Sequence, residues 1–598
     1  MPTVSRSPAS PPDPWTPPPC GAAVVRWAVR NALPILLLFA ACGDTAGAPE
    51  TPRPEGTVYV DAAAKDGGTG AQQAPLKSIT GALETGIPHV VVAPGTYEFP
   101  SAWTFPVDYV VEAPDGAFVT TGGAFEAQGA LTLSGFQIFG RLEVTGDLRS
   151  TGLALTGQNA GLSVSDGAIA LDDVSMEQGQ GALFTHCEGT VTGFSAKQVI
   201  APVFTSRDSS LVVSTVTIEG AVQTEEGASG DGFVVDGGDV TLEDATVSAP
   251  DDRAFFSRRG ATTLRRVRLS GGGRPPLGSA DEADVTVEDS EIFAANTCLF
   301  ATGGGRLTVR NTDVHDCGFG VLSGMGATVE IRDSRFTNCP GGHFSALNDG
   351  TQVLLEDNEF SRSDSTCIAL AGTNGPGVRV ARNRVEDCVG QGISLLSLQG
   401  AEIADNTIRG VTADPVFTDV GDGIGLVDAF AVVRGNIIQD VDRRGIGLLR
   451  SGGDFDGNEI ADTGDLGISV VDPAGEPVEI RNNKVERAFG GGITVLNADA
   501  VIEGNDVRDI AANPELGTGD GITFGLSSTS QVTGNTVAGA AINGIVFAEG
   551  ATGSIQDNTV TDSAAYGIRE YCFSEQNTVV VGENTLSGNA LGEQQLCQ

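Results

Sequence analysis

One short pattern, apolar–x–x–Asn–x–apolar, returns ten times between residues 358 and 584. Examples are LLEDNEF, VRVARNRV, AEIADNTI and VVGENTL. The ten asparagines lie 22 to 30 residues apart, at Asn358, Asn383, Asn406, Asn436, Asn458, Asn483, Asn505, Asn535, Asn558 and Asn584. A period in the low twenties with short strand-like segments is typical of a solenoid, in which each repeat packs on its neighbours. The repeat therefore constrains the fold more than chain length does.

A single repeat, residues 383–406, contains the short alternating runs GISLL and AEIA, which are too short for helices. Three such strands per turn, each stacked on its copy one turn away, predict an all-β, right-handed parallel β-helix. Asn tolerates the left-handed backbone, so we expect each repeated Asn to take the sharp bend at a corner. Stacked amides can hydrogen-bond along the solenoid. These asparagines are predicted to hold corners and to do no chemistry.

The corner position can be traced toward the N-terminus, where it carries small hydroxyls for three turns and apolar residues for seven. The traced residues are Ser334, Thr312, Ser290, Val267, Ala245, Val216, Phe194, Val174, Leu153 and Phe136. With the asparagines they predict about twenty turns in one continuous solenoid over 126–598. A four-turn block occurs twice, and its two long turns carry the insertions VTADPVFTDVGDGI and IAANPELGTGDGI.

Residues 1–41 are predicted to be a signal peptide, because Arg26 and Arg30 precede the short apolar run ALPILLLFAA. The run ends in FAAC, which resembles a bacterial lipobox. That resemblance implies lipidation of Cys42 and attachment to the cell envelope, in the periplasm or on the outer surface. An ordinary secretory signal is the alternative. Residues 42–56 are predicted to be a Pro/Gly tether.

Residues 57–125 are predicted to form an N-terminal cap and the first strands. They contain the strand VYVD, a GG–TG loop, the segment APLKSITGAL and the strand VVVAPGTY. This arrangement resembles the first module of bacterial pectate-lyase-like β-helix proteins, so the chain resembles a secreted lipoprotein of that superfamily. We expect a short helix with Ser78 as N-cap and Gly86 as C-cap, covering the open end of the solenoid.

The formal charge of −42 predicts repulsion from nucleic acid and from anionic lipid. Contact with a membrane is therefore expected only through a lipid on Cys42, and the chain is expected to be a monomer. An acidic surface can also bind divalent cations, and halophilic adaptation would explain the same charge.

The ten cysteines fit an oxidising compartment. Five fall one per turn, at Cys298, Cys317, Cys339, Cys367 and Cys388. Neighbouring turns lie about 4.8 Å apart, within the Cα separation that a disulfide needs, so bridges between turns are feasible. Cys572 and Cys597 are predicted to pin the C-terminal end. The chain has no CxxC pair, which disfavours a cysteine metal site.

In pectate-lyase-like proteins the substrate groove usually runs along the strand that follows the long loop after the Asn corner. By that resemblance the groove would follow the strands beginning with Gly-Ile, whose outward residues should form a flat strip of small side chains. These outward residues are Ser394, Gly425, Gly447, Ser469, Thr494, Thr523, Val546 and Arg569. The two insertions should stand four turns, roughly 19 Å, apart and wall a segment of the strip.

Carboxylates and arginines cluster at or between the two insertions. The candidate ligand-binding residues are Asp419, Asp422, Arg443, Arg444, Asp465 and Asp520. Of these, Asp422, Arg444 and Asp465 are the catalytic candidates. Such a set would suit an acidic sugar, either bound through calcium or polarised directly. Solvated corners of an acidic protein would show the same residues.

Other catalytic sets of this superfamily are not matched. Asp251 and Asp252 are the only Asp–Asp pair near the groove strand, and their flanking motifs are missing. His315 and His343 lie on adjacent turns and could act together as bases. The leading hypothesis is a cell-envelope lipoprotein that binds extracellular polysaccharide or surface partners without catalysis. The alternatives are a calcium-assisted polysaccharide lyase, hydrolase or epimerase, and an adhesin or structural rod.

Overall fold

The computed structural model describes residues 56–597 except 201, 222–229, 250–252, 272–276, 281, 348–349, 373–376, 418–419, 474–476 and 572–576. The predicted signal peptide, Cys42 and nearly all of the tether lie outside the described residues. So do Asp251, Asp252, Asp419 and Cys572. Every described residue belongs to one compact unit, Pro54–Gln598.

Within the described part the chain forms 53 strands and one helix, α1 (Ile79–Glu84). Strands β1 to β12 are Thr57–Val60, His89–Val92, Thr96–Glu98, Ala102–Thr104, Tyr109–Gln128, Leu131–Thr145, Leu148–Ser165, Ala168–Glu177, Ala182–Thr185, Glu188–Lys197, Phe204–Glu219 and Phe233–Ala249. Strands β13 to β28 are Phe255–Arg258, Ala261–Arg265, Arg268–Gly271, Leu277–Ala280, Asp284–Glu288, Glu291–Ala301, Arg306–Arg310, Asp313–Gly324, Thr328–Arg332, Arg335–Thr337, Phe344–Leu347, Gln352–Glu356, Glu359–Ser363, Ile368–Ala371, Val378–Ala381 and Arg384–Val389. Strands β29 to β53 are Ile393–Leu396, Gln399–Ala404, Thr407–Thr412, Ile424–Val427, Phe430–Arg434, Ile437–Val441, Ile446–Leu449, Gly452–Asp456, Glu459–Thr463, Leu466–Val471, Val478–Arg481, Lys484–Glu486, Gly491–Leu496, Asp499–Glu503, Asp506–Arg508, Asp520–Gly525, Thr529–Thr533, Thr536–Ala538, Ile545–Ala548, Thr552–Gln556, Thr559–Thr561, Tyr566–Tyr571, Thr578–Val581, Thr585–Ser587 and Gly592–Gln595.

The strands stack in parallel, each on its copy one turn away. In the regular part a strand pairs with the third strand before it and the third after it, as β29 does with β26 and β32. Alternate side chains point inward and fill a core of Val, Ile, Leu and Phe along the whole described unit. The predicted all-β parallel solenoid of about twenty turns is confirmed.

The traced corner position is confirmed by the strand register. Phe136 lies beside Leu153, as shown by the neighbouring pair Gln137 and Ala154, and the column continues to Ser334, which lies beside Asn358. The Ser hydroxyls act as shorter versions of the asparagine. Oγ of Ser334 accepts a hydrogen bond from the backbone N–H of Thr312, and Oγ of Ser290 accepts one from Val267. Serine and asparagine corners therefore satisfy the backbone of the preceding turn, whereas the apolar corners are buried in the core.

The ten asparagines form the predicted ladder. Oδ1 of Asn458 accepts hydrogen bonds from both the backbone N–H and the side-chain amide of Asn436, at 3.0 and 2.9 Å. The side-chain amide of Asn436 also donates to the carbonyl of Ile403 at 2.9 Å. Since the Asn436 side chain is fully buried, these bonds replace the water that its polar atoms lose.

The left-handed bend is not at the asparagine itself, contrary to our expectation. It falls on the residue before it, as at Arg382, with φ +56°, before Asn383, and at Gly435, with φ +63°, before Asn436. The asparagine must point its amide inward to join the ladder, so the preceding, outward-facing residue makes the turn. Asp, Gly and Asn occupy most of these preceding positions, and these residue types adopt that conformation most readily.

Helix α1 covers the first turn as predicted, burying Ile79, Ala82 and Leu83. Oγ of Ser78 accepts a hydrogen bond from the N–H of Gly81, so Ser78 is the N-cap. The C-cap is Thr85 rather than Gly86, which follows with φ +73°. No helix in the described part of the chain is long and apolar enough to cross a membrane.

Two disulfides join neighbouring turns, Cys298–Cys317 and Cys367–Cys388. Cys339, the middle member of the five, is a buried free thiol, and burial raises its pKa to about 11. Bridges between neighbouring turns are thus present where we considered them feasible. Cys597 is disulfide-bonded, while the pairing of Cys572 with Cys597 stays a prediction.

Candidate functional site

The strands that begin with Gly-Ile form one continuous column of the solenoid, here called the GI column. It runs upstream from β50 through β29 to β13 and into β12. The residue two places before the first Ile or Phe of each strand of the column lies at its edge, and these residues stack as a second row, here called the edge row. Gln391, Asp422, Arg444, Leu466, Gly491, Asp520 and Asn543 are its downstream members.

The edge row brings Asp422 and Arg444 together on adjacent turns. Nε and Nη2 of Arg444 donate to the two carboxylate oxygens of Asp422, at 2.8 and 3.1 Å. The Asp422 side chain is almost fully buried, whereas the Arg444 side chain is 23% exposed. A buried carboxylate thus holds a partly exposed guanidinium in a fixed orientation.

Two glycines of the GI column make room for this arrangement. A Cβ atom at Gly447 would lie 2.7 Å from Oδ2 of Asp422, and one at Gly425 would overlap Nε2 of Gln391. The polar side chains of the edge row therefore lie across the strands where other turns have outward side chains. Together they line a cleft of about 410 Å³, which also includes Val420 and Arg443.

A second ion pair lies beside the first. Nη2 of Arg443 is 3.3 Å from Oδ2 of Asp465, and the two side chains are 26% and 23% exposed. The predicted candidates Asp422, Arg443, Arg444 and Asp465 are therefore brought together by the fold, as two Asp–Arg pairs. Asp419 lies outside the described residues.

Asp520 does not join this group. It occupies the same edge row three turns beyond Arg444, roughly 14 Å along the axis. Its carboxylate accepts hydrogen bonds from the backbone and side-chain amides of Asn543, both at 2.9 Å. Burial raises the pKa of Asp520. In the repeated four-turn block, Asp520 and Asn543 are the counterparts of Asp422 and Arg444. Asp520 thus lies at the second insertion, outside the lining of the cleft at Asp422, and its part in ligand binding stays a prediction.

The two insertions lie four turns apart along the edge row, as predicted. Their tips carry exposed apolar side chains: Val416 and Phe417 on the first, and Leu516 on the second, each at least 68% exposed. Val420 of the first insertion lines the cleft. The insertions are thus apolar at their exposed tips, whereas the edge row beside them is polar.

The predicted flat, open strip is only partly correct. Ser469 and Val546 face outward from the GI column but are only 3% and 1% exposed. Alternation within one strand predicts which way a side chain faces, but it does not predict how exposed that side chain is. Thr494 and Thr523 remain half-exposed.

The two histidines, His315 and His343, do not form a pair of catalytic bases. His343 is fully buried, and neither of its ring nitrogens has a hydrogen-bond partner in the described structure. His315 pairs instead with Glu291 and Asp316, at 3.1 and 2.8 Å. Among the described residues no three His, Cys, Asp or Glu side chains lie close enough to hold a metal ion. Since Asp419 is outside them, calcium binding stays a hypothesis.

Our sequence interpretation missed a second Asp–Arg pair in the same row. Asp231 and Arg253 lie on adjacent turns, with Arg253 Nε and Nη2 donating to Asp231 at 3.0 Å each. The pair has a sequence signal, because Asp231-Gly-Phe and Asp422-Gly-Ile share the form Asp-Gly-apolar at the start of a GI-column strand. Each Arg follows one turn later, two places before its own strand.

Solved structures similar to this chain are polysaccharide-modifying enzymes. The periplasmic alginate epimerase AlgG is 11% identical, with a TM-score of 0.25 over 66% of this chain and 84% of that chain. The pectate lyase Pel9A is 12% identical, with a TM-score of 0.22 over 46% and 78% of the two chains. The A-module of the Azotobacter vinelandii mannuronan C-5 epimerase AlgE4 is 12% identical, with a TM-score of 0.19 over 65% and 90%. Similarities this low say nothing about the activity of this chain.

No curated protein matches the sequence significantly. Residues 62–224 match a family of unknown function, DUF1565. Residues 277–430 and 422–586 match the family described as a right handed beta helix region, and together these matches cover more than half of the chain. The chain therefore belongs to the right-handed β-helix family.

Proposed function

We propose that this protein is a lipid-anchored cell-envelope protein that binds an acidic extracellular polysaccharide at the cleft beside Asp422 and Arg444. The supporting observation is the pair of partly exposed guanidinium groups, Arg443 and Arg444, each oriented by an aspartate. A guanidinium fixed in this way presents a planar, charged edge, which suits the carboxylate of a uronate sugar.

The surroundings of the cleft fit an extended sugar chain. Gly425 and Gly447 let the side chains of Gln391 and Asp422 lie flat across the strands, and the exposed apolar tips Val416 and Phe417 of the first insertion offer surfaces for the apolar faces of sugar rings. Binding without cleavage is proposed because both predicted carboxylate candidates for catalysis are already engaged by arginines. The lipid anchor at Cys42 rests on the lipobox-like FAAC alone.

The test compares binding of uronate-containing and neutral polysaccharides to purified residues 57–598 and to the variant Arg444→Asn. Asn543 donates a hydrogen bond to the carboxylate of Asp520 at the equivalent position of the repeat. The variant should therefore keep Asp422 hydrogen-bonded and the fold intact. We expect selective binding of uronates, weakened about tenfold to a hundredfold in the variant, because one charge-assisted contact is lost.

Arg382→Asn is the matched control. Arg382 makes the same two-point pair with Asp357, at 2.8 Å for both bonds, but on an exposed corner beside the asparagine ladder, and neither residue lines the cleft. Equal loss of binding in both variants, or equal binding of neutral and uronate polymers, would refute the proposal.

The same samples test the rival functions. Unsaturated-uronate absorbance that appears only with calcium would replace the binding proposal with a lyase, and new reducing ends alone would replace it with a hydrolase. Binding to cells without binding to any glycan would favour an adhesin or structural rod.

A further inference from the structure

A second cleft of about 380 Å³ lies on the same face, around Asp231 and Arg253. These residues occupy the edge row, as Asp422 and Arg444 do, and strand pairing places the two clefts eight turns apart. At about 4.8 Å per turn the separation is roughly 38 Å along the axis. The same arrangement, an Asp–Arg pair on adjacent turns of the edge row, thus occurs twice on one surface.

The lining of this cleft contains more arginines than aspartates, although the chain as a whole is acidic, and one of these arginines, Arg141, pairs with Glu143 outside the lining. Its lining includes three arginines, Arg141, Arg207 and Arg253, and two aspartates, Asp231 and Asp236. Both aspartates are compensated, because Arg253 pairs with Asp231, and Arg258 and Arg259 both pair with Asp236.

Arg207 is the arginine of this lining that has no carboxylate partner among the described residues. It is exposed at the cleft and forms no ion pair with any described residue, although Asp236 is its neighbour in register. In a chain with 77 acidic and 35 basic residues, an arginine without a carboxylate partner in a concave site indicates an anionic ligand.

The aromatic ring of Phe256 supports Arg253. The guanidinium of Arg253 lies 3.8 Å from the centroid of the Phe256 ring, which fixes its plane. Phe256 faces outward from the GI column, and the next turn carries Gly278, where a Cβ atom would lie 2.9 Å from the ring. Glycine here makes room for the platform, as Gly447 does for Asp422.

The outward positions of the GI column between the two clefts carry no charge. The outward residues of the GI column on the intervening turns are Gly278, Phe300, Leu322, Ser345, Ala369 and Ser394. A polyanion lying along this column would therefore meet arginines at both ends and no fixed negative charge on its floor.

We propose that the cleft at Arg207, Arg253 and Phe256 is a second carboxylate-sugar site, and that one acidic polysaccharide chain binds both clefts at once. The choice of a polyuronate as ligand rests on the proposed function, whereas the anionic character of the second site rests on its own residues. Binding at two sites 38 Å apart would make the protein selective for long chains, because the second contact is intramolecular.

The test uses calorimetry with a uronate trisaccharide, which can fill only one cleft, and with a polyuronate long enough to span both. Arg253→Asn combined with Arg207→Gln removes the second site and leaves Asp231 an amide partner, as Asp520 has. Arg149→Gln is the control, since Arg149 is exposed, forms no ion pair with a described residue and lies in another strand column. Denaturation midpoints verify that each variant is folded.

We expect two trisaccharide sites in the unaltered protein and in Arg149→Gln, and one in the second-site variant. The polymer should bind about a hundredfold more tightly than the trisaccharide and lose this advantage in the variant. One site that only Arg444→Asn abolishes would overturn this inference and leave the proposed function standing. One site that only the second-site variant abolishes would overturn the proposed function instead. Tighter binding of a sulfated trisaccharide would overturn the assignment to uronates, and no binding would overturn both.

Discussion

His343 is a titratable side chain held in the core without a hydrogen bond to either ring nitrogen. Burial lowers its pKa to about 4, whereas an unfolded histidine has a pKa of about 6.5. The unfolded chain therefore binds the proton more tightly, and protonation favours unfolding. The folded state should lose stability as the pH falls from about 6.5 to 4, by up to about 3 kcal/mol from this residue.

The substitution His343→Phe removes this proton-linked loss. Phe360 lies beside the ring, with centroids 6.0 Å apart, so an aromatic replacement has an apolar neighbour. We expect the variant to gain stability over the unaltered protein as the pH is lowered from 7.5 to 5, measured by urea denaturation. His186→Phe is the control, because His186 is largely exposed. An identical change with pH in both variants would contradict the assignment.

At the residue scale the sequence predicted which side chains gather at the cleft but not how they are arranged. Asp422, Arg443, Arg444 and Asp465 were named because two insertions flank them, and period alone places them on neighbouring turns. Asp520 was named with them, but the fold places it three turns beyond Arg444, because it belongs to the second copy of the repeated block. Asn543 takes the place of the arginine, and this equivalence becomes visible only in the edge row of the folded chain.

At the element scale, the asparagine ladder makes each turn depend on the next. Asn436→Ala would remove the acceptor of the Asn406 backbone N–H and the side-chain donor to the carbonyl of Ile403, while the side-chain amide of Asn406 would keep only its bond to the carbonyl of Val380. We expect a loss of roughly 3 kcal/mol or more in unfolding free energy, since each unsatisfied buried group costs about 1–3 kcal/mol.

Asn436→Ser should recover part of that loss. A hydroxyl at this corner can accept the N–H of the preceding turn, as Oγ of Ser334 does for Thr312. Denaturation midpoints in the order Asn, Ser, Ala would support the ladder as the source of stability. Equal midpoints for Ser and Ala would show that the hydrogen bond to the preceding turn contributes nothing.

The elements themselves were predictable because one periodic signal specifies both strands and corners. The column from Phe136 to Asn584 has the register expected from the sequence. The two expectations that the structure corrected depend on contacts with neighbouring turns rather than on the residues of one turn. The left-handed bend lies before the asparagine because the asparagine side chain must point inward to join the ladder, and Ser469 is buried although it faces outward from its strand.

At the scale of the whole molecule, a solenoid stabilised by nearest neighbours should tolerate the loss of one complete turn. Removing residues 335–358 takes out one turn between two corner positions, Ser334 and Asn358, and leaves both interturn disulfides in place. The new neighbours then keep the same inward and outward alternation, because the register on either side is unchanged. We expect a folded protein with the far-ultraviolet circular dichroism of a β solenoid.

The shorter deletion 335–346 is the decisive comparison. It removes fewer residues but ends in the wrong strand column, so apolar side chains would face solvent and the corner ladder would be interrupted. If length alone mattered, this variant would be the more stable of the two. If turn phase matters, it should aggregate or unfold, while the full-turn deletion remains resistant to protease. The full-turn deletion also removes His343, so it should lose part of the acid sensitivity. Retained binding of long polyuronate across seven turns instead of eight would show that the two clefts tolerate a change of about 5 Å in spacing.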